Sequence, residues 1–167
     1  EILLIPIMLP MFVYFIFYVI PKIDPKIKLN NIGKKLQTLK FLVTSLMSAL
    51  ALFIIYSSQN KTAANPTFIF VFVGILYVVL GNYFKTIKAN YFIGIRTPWT
   101  LESESIWKET HLLAGKLWLS GGLLIVISSL FLDEKFNVVL FLIITGIITI
   151  IPAIYSFLLF KRESKIG

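Results

Sequence analysis

Five runs of about twenty residues with almost no charge decide what solvent this chain folds in, because a bilayer core is crossed by about 20 helical residues at about 1.5 Å each. They cover 2–20, 39–58, 67–84, 112–132 and 138–160; the first, third and fifth contain no charged residue, and the second contains only Lys40, at its start. Lys116, near the start of the fourth, has a stem long enough to bring its ammonium to the headgroups. The sequence is 57% hydrophobic and only 14% charged, against about a quarter charged in an ordinary soluble domain. Lipid offers no partner to a free N–H or C=O, so the runs are helices. The expected fold is all-α: a polytopic membrane helix bundle of about five transmembrane helices plus a cytoplasmic interfacial helix, forming one transmembrane domain over 1–167.

The formal net charge of +8 would suggest nucleic acid in a soluble protein. Here the lipid bilayer is the partner that explains where the charges sit, and no direct nucleic-acid contact is expected. Fourteen of the 16 Lys and Arg residues fall on one side of a five-span arrangement, in the loop after the first span, the loop before the fourth, and the tail. Only Lys61 and Lys135 fall on the other. Positive charge stays inside, so both long loops and the C-terminus are expected in the cytoplasm, with Glu1 facing outward in a bacterial cell membrane. The chain opens at Glu1 within an apolar run and lacks the basic start and small-residue cleavage pattern of a signal peptide. It therefore reads as processed or missing an upstream part.

Small residues recur at helix-packing intervals: Ser45 with Ala49, Gly74 with Gly81, Gly115 with Gly122. Such faces let backbones approach in lipid. Pro152 is expected to kink the last helix. No internal repeat supports an inverted-repeat transporter. A small transporter or channel is nevertheless the competing class, with Asn82, Thr145 and Thr149 as candidates to line a path.

The chemically distinctive residues gather in one stretch, NYFIGIRTPWTLESESIWKETHLLAGKLW, from Asn90 to Trp118. Gly94 permits a left-handed turn. Pro98 disfavours helix at Thr97 and favours one just beyond it. Thr97 or Thr100 caps that helix, with Glu102 and Glu104 at its positive end. It starts near Pro98 or Leu101 and leads, with or without a bend, into the fourth span. Trp107, His111, Ala114 and Trp118 share one face, and Glu104 precedes them on the same stripe. Two compatible readings follow. One is a helix resting at the interface with Trp as aromatic belt. The other is a recognition surface of Glu104, Trp107 and His111, flanked by Arg96 and Trp99.

Catalysis finds little support. His111 with Ser103, Ser105 or Thr110 would supply a base and a nucleophile, but no motif ties them together, and HExxH and GxSxG are absent. No carboxylate lies in mid-membrane. There are no cysteines and one histidine, so neither a metal centre nor a cofactor is expected, and the chain reads as a non-enzyme.

GIRTPWTL over 94–101, followed by Trp107, Thr110-His111 and Gly115, resembles the signature of the SdpI family, bacterial membrane proteins named for immunity to a secreted sporulation-delaying toxin peptide. On that resemblance Asn90, Gly94, Arg96, Thr97, Pro98, Trp99, Thr100, Glu104, Trp107, His111 and Gly115 are the signature or partner-binding residues, within a cytoplasmic signature loop and helix over 90–111. The resemblance implies protection from a membrane-active toxin peptide. It also implies signalling, by sequestering a cytoplasmic DNA-binding repressor at the membrane. Many relatives carry one more span and an extracellular segment upstream, and IPIMLPMFVYFIF (5–17) resembles the helix that closes that part. A sixth span would put the natural N-terminus in the cytoplasm. The two outward turns are too small to hold a folded protein, so a toxin is expected to meet this core within the bilayer, on a groove rimmed by Gly74, Gly81, Gly121 and Gly122, or else to be sensed by the upstream part.

Overall fold

The computed structural model describes residues 4–24, 33–59 and 67–164, and among these the regular structure is entirely α-helical. The helices are α1 (Leu4–Ile23), α2 (Gly33–Gln59), α3 (Thr67–Phe84), α4 (Pro98–Glu102), α5 (Glu104–Phe131) and α6 (Glu134–Glu163). All but α4 are long and apolar enough to cross a membrane. The chain is a multi-pass helical membrane protein. The turn expected over 58–66 lies mostly outside the described residues.

Four helices run past the apolar stretches that announce them, α5 by starting at Glu104. α2 begins at Gly33, taking in the polar segment KKLQT, because Leu36, Leu39 and Val43 repeat at helical spacing and are all buried. α1 passes through Pro21 to Ile23, and the Asp24 N–H closes its last turn on Ile20 O at 3.0 Å. α6 starts at Glu134, so only Leu132 and Asp133 separate it from α5. Asn137 locks that turn, its Nδ2 donating to Leu132 O at 2.7 Å.

The helices pack largely in chain order: α1 on α2, α2 on α3, α3 on α5, α5 on α6, with α3 also touching α6. The α3–α5 contact is the closest, and glycines make it so. A Cβ on Gly74 would lie 2.9 Å from Gly122 O, and one on Gly122 would lie 2.6 Å from Gly74 O. Two turns away the pattern repeats, with Gly115 against Gly81 O at 2.8 Å and Gly81 against Gly115 O at 2.9 Å. The helices run antiparallel with backbone against backbone, a distance only hydrogen side chains allow. Gly121 serves α6 instead, where a Cβ would meet the Ile144 and Ile148 side chains. This corrects the expectation of an open groove: the four glycines expected to rim it are consumed by the chain's own packing.

Pro152 also has its counterpart in the bundle. A proline leaves the carbonyl four residues earlier without its helical partner, here Ile148 O. The Trp118 indole N–H donates to that carbonyl at 2.9 Å, which supplies the bond that lipid cannot. Tyr77, Phe84 and Phe141 pack around these residues. Among the polar residues proposed for a path, Thr145 faces inward and shares a 3.2 Å hydrogen bond with the Tyr77 hydroxyl. Asn82 and Thr149 lie on the outer surface, so the three do not line a common channel.

Gly81→Leu or Gly115→Leu forces the seam apart and is expected to cost about 1–3 kcal/mol or more, while Gly146→Ala, which meets nothing within 4 Å, stays within about 0.5 kcal/mol. Thermal unfolding in detergent compares them; equal effects at Gly81 and Gly146 would contradict the packing described.

Candidate functional site

Between α3 and α4 the chain makes a thirteen-residue connection, 85–97, folded by its own side chains. Asn90 is 1% exposed and uses its whole amide. Its Nδ2 donates to Lys88 O and Ile93 O, both at 3.0 Å, and its Oδ1 accepts from Phe92 N–H at 2.9 Å and Ile93 N–H at 2.6 Å. Four bonds to one side chain build the turn without regular secondary structure. Gly94 follows at φ +113°, a region closed to most L side chains, and a Cβ there would strike His111 Nε2.

His111 is the clamp. Its Nε2 accepts from the Ile95 N–H at 3.0 Å, and its Nδ1 lies 2.8 Å from Trp107 O. A carbonyl only accepts and an N–H only donates, so the ring is the neutral tautomer with its proton on Nδ1. Both nitrogens are engaged, which leaves no base for Ser103, Ser105 or Thr110 to use. The Trp107 ring stacks on the imidazole at 4.0 Å, and Phe84 meets it edge-on at 5.8 Å. The Trp107 indole donates to Ile87 O at 2.8 Å, holding the first part of the same connection. Trp107 and His111 do share a face, as their spacing predicts, but at 2% and 1% exposure that face turns inward onto the loop. Glu104, on the same stripe, is exposed. The three therefore do not form one exposed recognition surface.

The second half of the site is a capping box. Thr97 is the N-cap of α4, its Oγ1 accepting from Thr100 N–H, and Thr100 Oγ1 in return accepts from Thr97 N–H at 3.0 Å. The buried Thr100 hydroxyl donates towards Ile95 O at 2.9 Å and Thr97 O at 3.0 Å. Pro98 takes the first helical position, where its missing N–H is harmless. The helix expected to lead, with or without a bend, into the fourth span is broken once, at Ser103, whose side chain caps α5 by accepting from Ile106 N–H. α6 holds this segment from outside: Ser156 Oγ is 3.0 Å from Thr97 Oγ1, and Trp99 packs on Phe157 and Phe160. Arg96 is exposed and its guanidinium donates to Tyr91 O at 2.7 Å. Gly115 belongs to the α3–α5 seam, away from these contacts.

Two contributors escaped the sequence reading. Asp24, 0% exposed at the end of α1, accepts from Tyr91 N–H at 2.8 Å. With Ile93 packed on Ile20 and Leu36, it ties the loop to the first two helices. Ser156 is the other. Asp24 leaves one signal, as an acid placed directly after an apolar run in an otherwise basic loop; Ser156 leaves none. Among the described residues no three His, Asp or Glu side chains form a group suited to a metal ion.

Residues 86–156 match the SdpI/YfhL protein family. They belong to it. The SdpI/YfhL match opens at the start of the connection and closes at Ser156, so it contains the loop together with its clamps from α5 and α6, and it leaves Asp24 outside. The chain is also 30% identical over 90 residues to Immunity protein SdpI of Bacillus subtilis (strain 168), an alignment that covers 54% of this chain and 43% of that protein. No solved structure matches the chain.

His111→Phe keeps the stack but leaves the Ile95 N–H without an acceptor, an expected loss of about 1–3 kcal/mol. Opening of the loop should then raise trypsin cleavage after Arg96 about ten-fold in detergent. An unchanged cleavage rate would show that His111 does not hold the loop.

Proposed function

We propose that this chain is a membrane immunity protein, protecting a bacterial cell from a secreted membrane-active toxin peptide. The observation that carries the reading is the coincidence of the family segment with one folded unit: the residues matched from 86 to 156 are those that build and clamp the loop. The name of the Bacillus subtilis relative supports immunity as the role. In this reading the two connections rich in lysine and the C-terminus face the cytoplasm, by the charge asymmetry of the sequence.

The toxin contact is intramembrane. With the glycine faces closed, the small-residue face left open is that of Ser45 and Ala49 on α2, both exposed. It lies in a groove of about 470 Å³ beside Tyr14 and Phe41. An amphipathic toxin helix laid there would be held out of a pore-forming assembly. The loop serves the second role, capture of a cytoplasmic DNA-binding repressor. Its outer rim is Tyr91 and Phe92, 44% and 39% exposed, beside Arg96, and a partner's acidic surface would be steered to it by the surrounding lysines.

Survival of toxin-treated cells tests both contacts. Ala49→Leu, which fills the open groove, is expected to abolish protection at unchanged membrane levels, while Arg96→Ala preserves protection and abolishes any transcriptional response to toxin. Full protection by Ala49→Leu would remove the groove from the mechanism. Toxin-independent, saturable flux of a solute through the purified chain in liposomes would favour the transporter class instead.

A further inference from the structure

The cytoplasmic ends of α5 and α6 enclose a second groove, of about 600 Å³, which neither the loop nor its clamps use. Its walls carry Lys108, Glu109, Lys116, Ser105 and Tyr155, over a floor containing Leu112. The Tyr155 hydroxyl donates to Glu109 Oε2 at 3.2 Å and ties the two helices together there.

Its depth follows from helix length. α5 has 28 residues and α6 has 30, but a hydrocarbon core of about 30 Å is filled by about 20. Counted from the tight turn at Leu132 and Asp133, the far boundary falls near Leu112 on α5 and near Tyr155 on α6. Lys108 and Lys116 are separated by about 12 Å along the axis, one outside that boundary and one just within it. Neither makes an ion pair with a described residue. The groove sets two ammoniums against the single Glu109 carboxylate, an excess of positive charge that is costly at the hydrocarbon edge, and Arg162, two turns beyond Tyr155 on α6 and close enough to act on it electrostatically, adds a third cation towards the rim.

We infer that the α5–α6 groove is a binding site for the headgroup of an anionic glycerophospholipid of the cytoplasmic leaflet. The phosphodiester lies between Lys108 and Lys116, at the level where lipid phosphates reside. Glu109, Ser105 and Tyr155 supply an acceptor and two hydroxyls to a polyhydroxylated headgroup such as glycerol, and Leu112 meets the start of an acyl chain. A free phosphate would satisfy the lysines alone and leave the apolar floor exposed. The site rests on the membrane placement proposed above but not on the immunity role.

Native mass spectrometry of the full chain, released from micelles containing equal amounts of phosphatidylglycerol and phosphatidylcholine, reads the site directly. The parent is expected to retain phosphatidylglycerol about ten-fold over phosphatidylcholine. Lys108→Gln/Lys116→Gln should lose that preference while keeping the parent's melting temperature. Lys34→Gln/Lys35→Gln, two lysines at the start of α2, should keep it. Retained preference in the first variant, or equal loss in both, would overturn the site. So would displacement of the lipid by inorganic phosphate at millimolar concentration. A chain that binds lipid as expected but gives no immunity leaves this site standing and rejects the proposed function.

Discussion

The folding of the loop between α3 and α4 depends on how closely α3 and α5 approach. In lipid there is no hydrophobic drive to bring helices together, so the association rests on van der Waals contact. Gly74 with Gly122 and Gly81 with Gly115 supply it by letting each backbone touch the other's carbonyl oxygens. The register this fixes brings Phe84, at the end of α3, against His111 on α5. The connection leaving α3 then starts within reach of the Trp107 indole and the His111 ring. A bulkier seam would separate the clamp from the loop it holds.

The loop in turn joins two parts of the bundle. On one side stand Thr100, His111 and Ser156, belonging to α4, α5 and α6 respectively; on the other stand Ile20 of α1, Asp24 just beyond its end, and Leu36 of α2. Its buried polar groups are consumed within the chain, as a segment at the edge of a membrane requires. The exposed rim of the loop is formed by Tyr91, Phe92 and Arg96. The residues that carry the resemblance are thus mostly those that build this platform, with their side chains turned into it.

The membrane architecture was legible because uncharged runs of that length have few other uses. Helix ends were less so. Lys34 and Lys35 mark a loop by hydropathy, yet the helix continues beneath them because Leu36 and Leu39 need burial. The spacing of Trp107 and His111 identified a common face but not its direction, since an inward face and an outward one share the same period. The glycine intervals were visible, and their partners were not: nothing local says that Gly74 meets Gly122. Asp24 was hidden for the same reason, its partner lying 67 residues away. The cap was readable in part, because its partners are three residues apart: Thr97 was one of two candidates, and its reciprocal bond with Thr100 was not foreseen.

The loop over 85–97 is a folded, clamped unit, and we propose that it stands on the cytoplasmic bank of the membrane. The 167 residues contain no cysteine, so single cysteines introduced into them report on the loop cleanly. Ala89→Cys and Tyr91→Cys replace neighbouring loop residues that are 6% and 44% exposed. With a membrane-impermeant maleimide, neither should label in intact cells, and after permeabilisation Tyr91→Cys should label rapidly while Ala89→Cys stays protected until the protein is denatured. Labelling of Tyr91→Cys from outside intact cells, or equal rates at both positions after permeabilisation, would contradict the account.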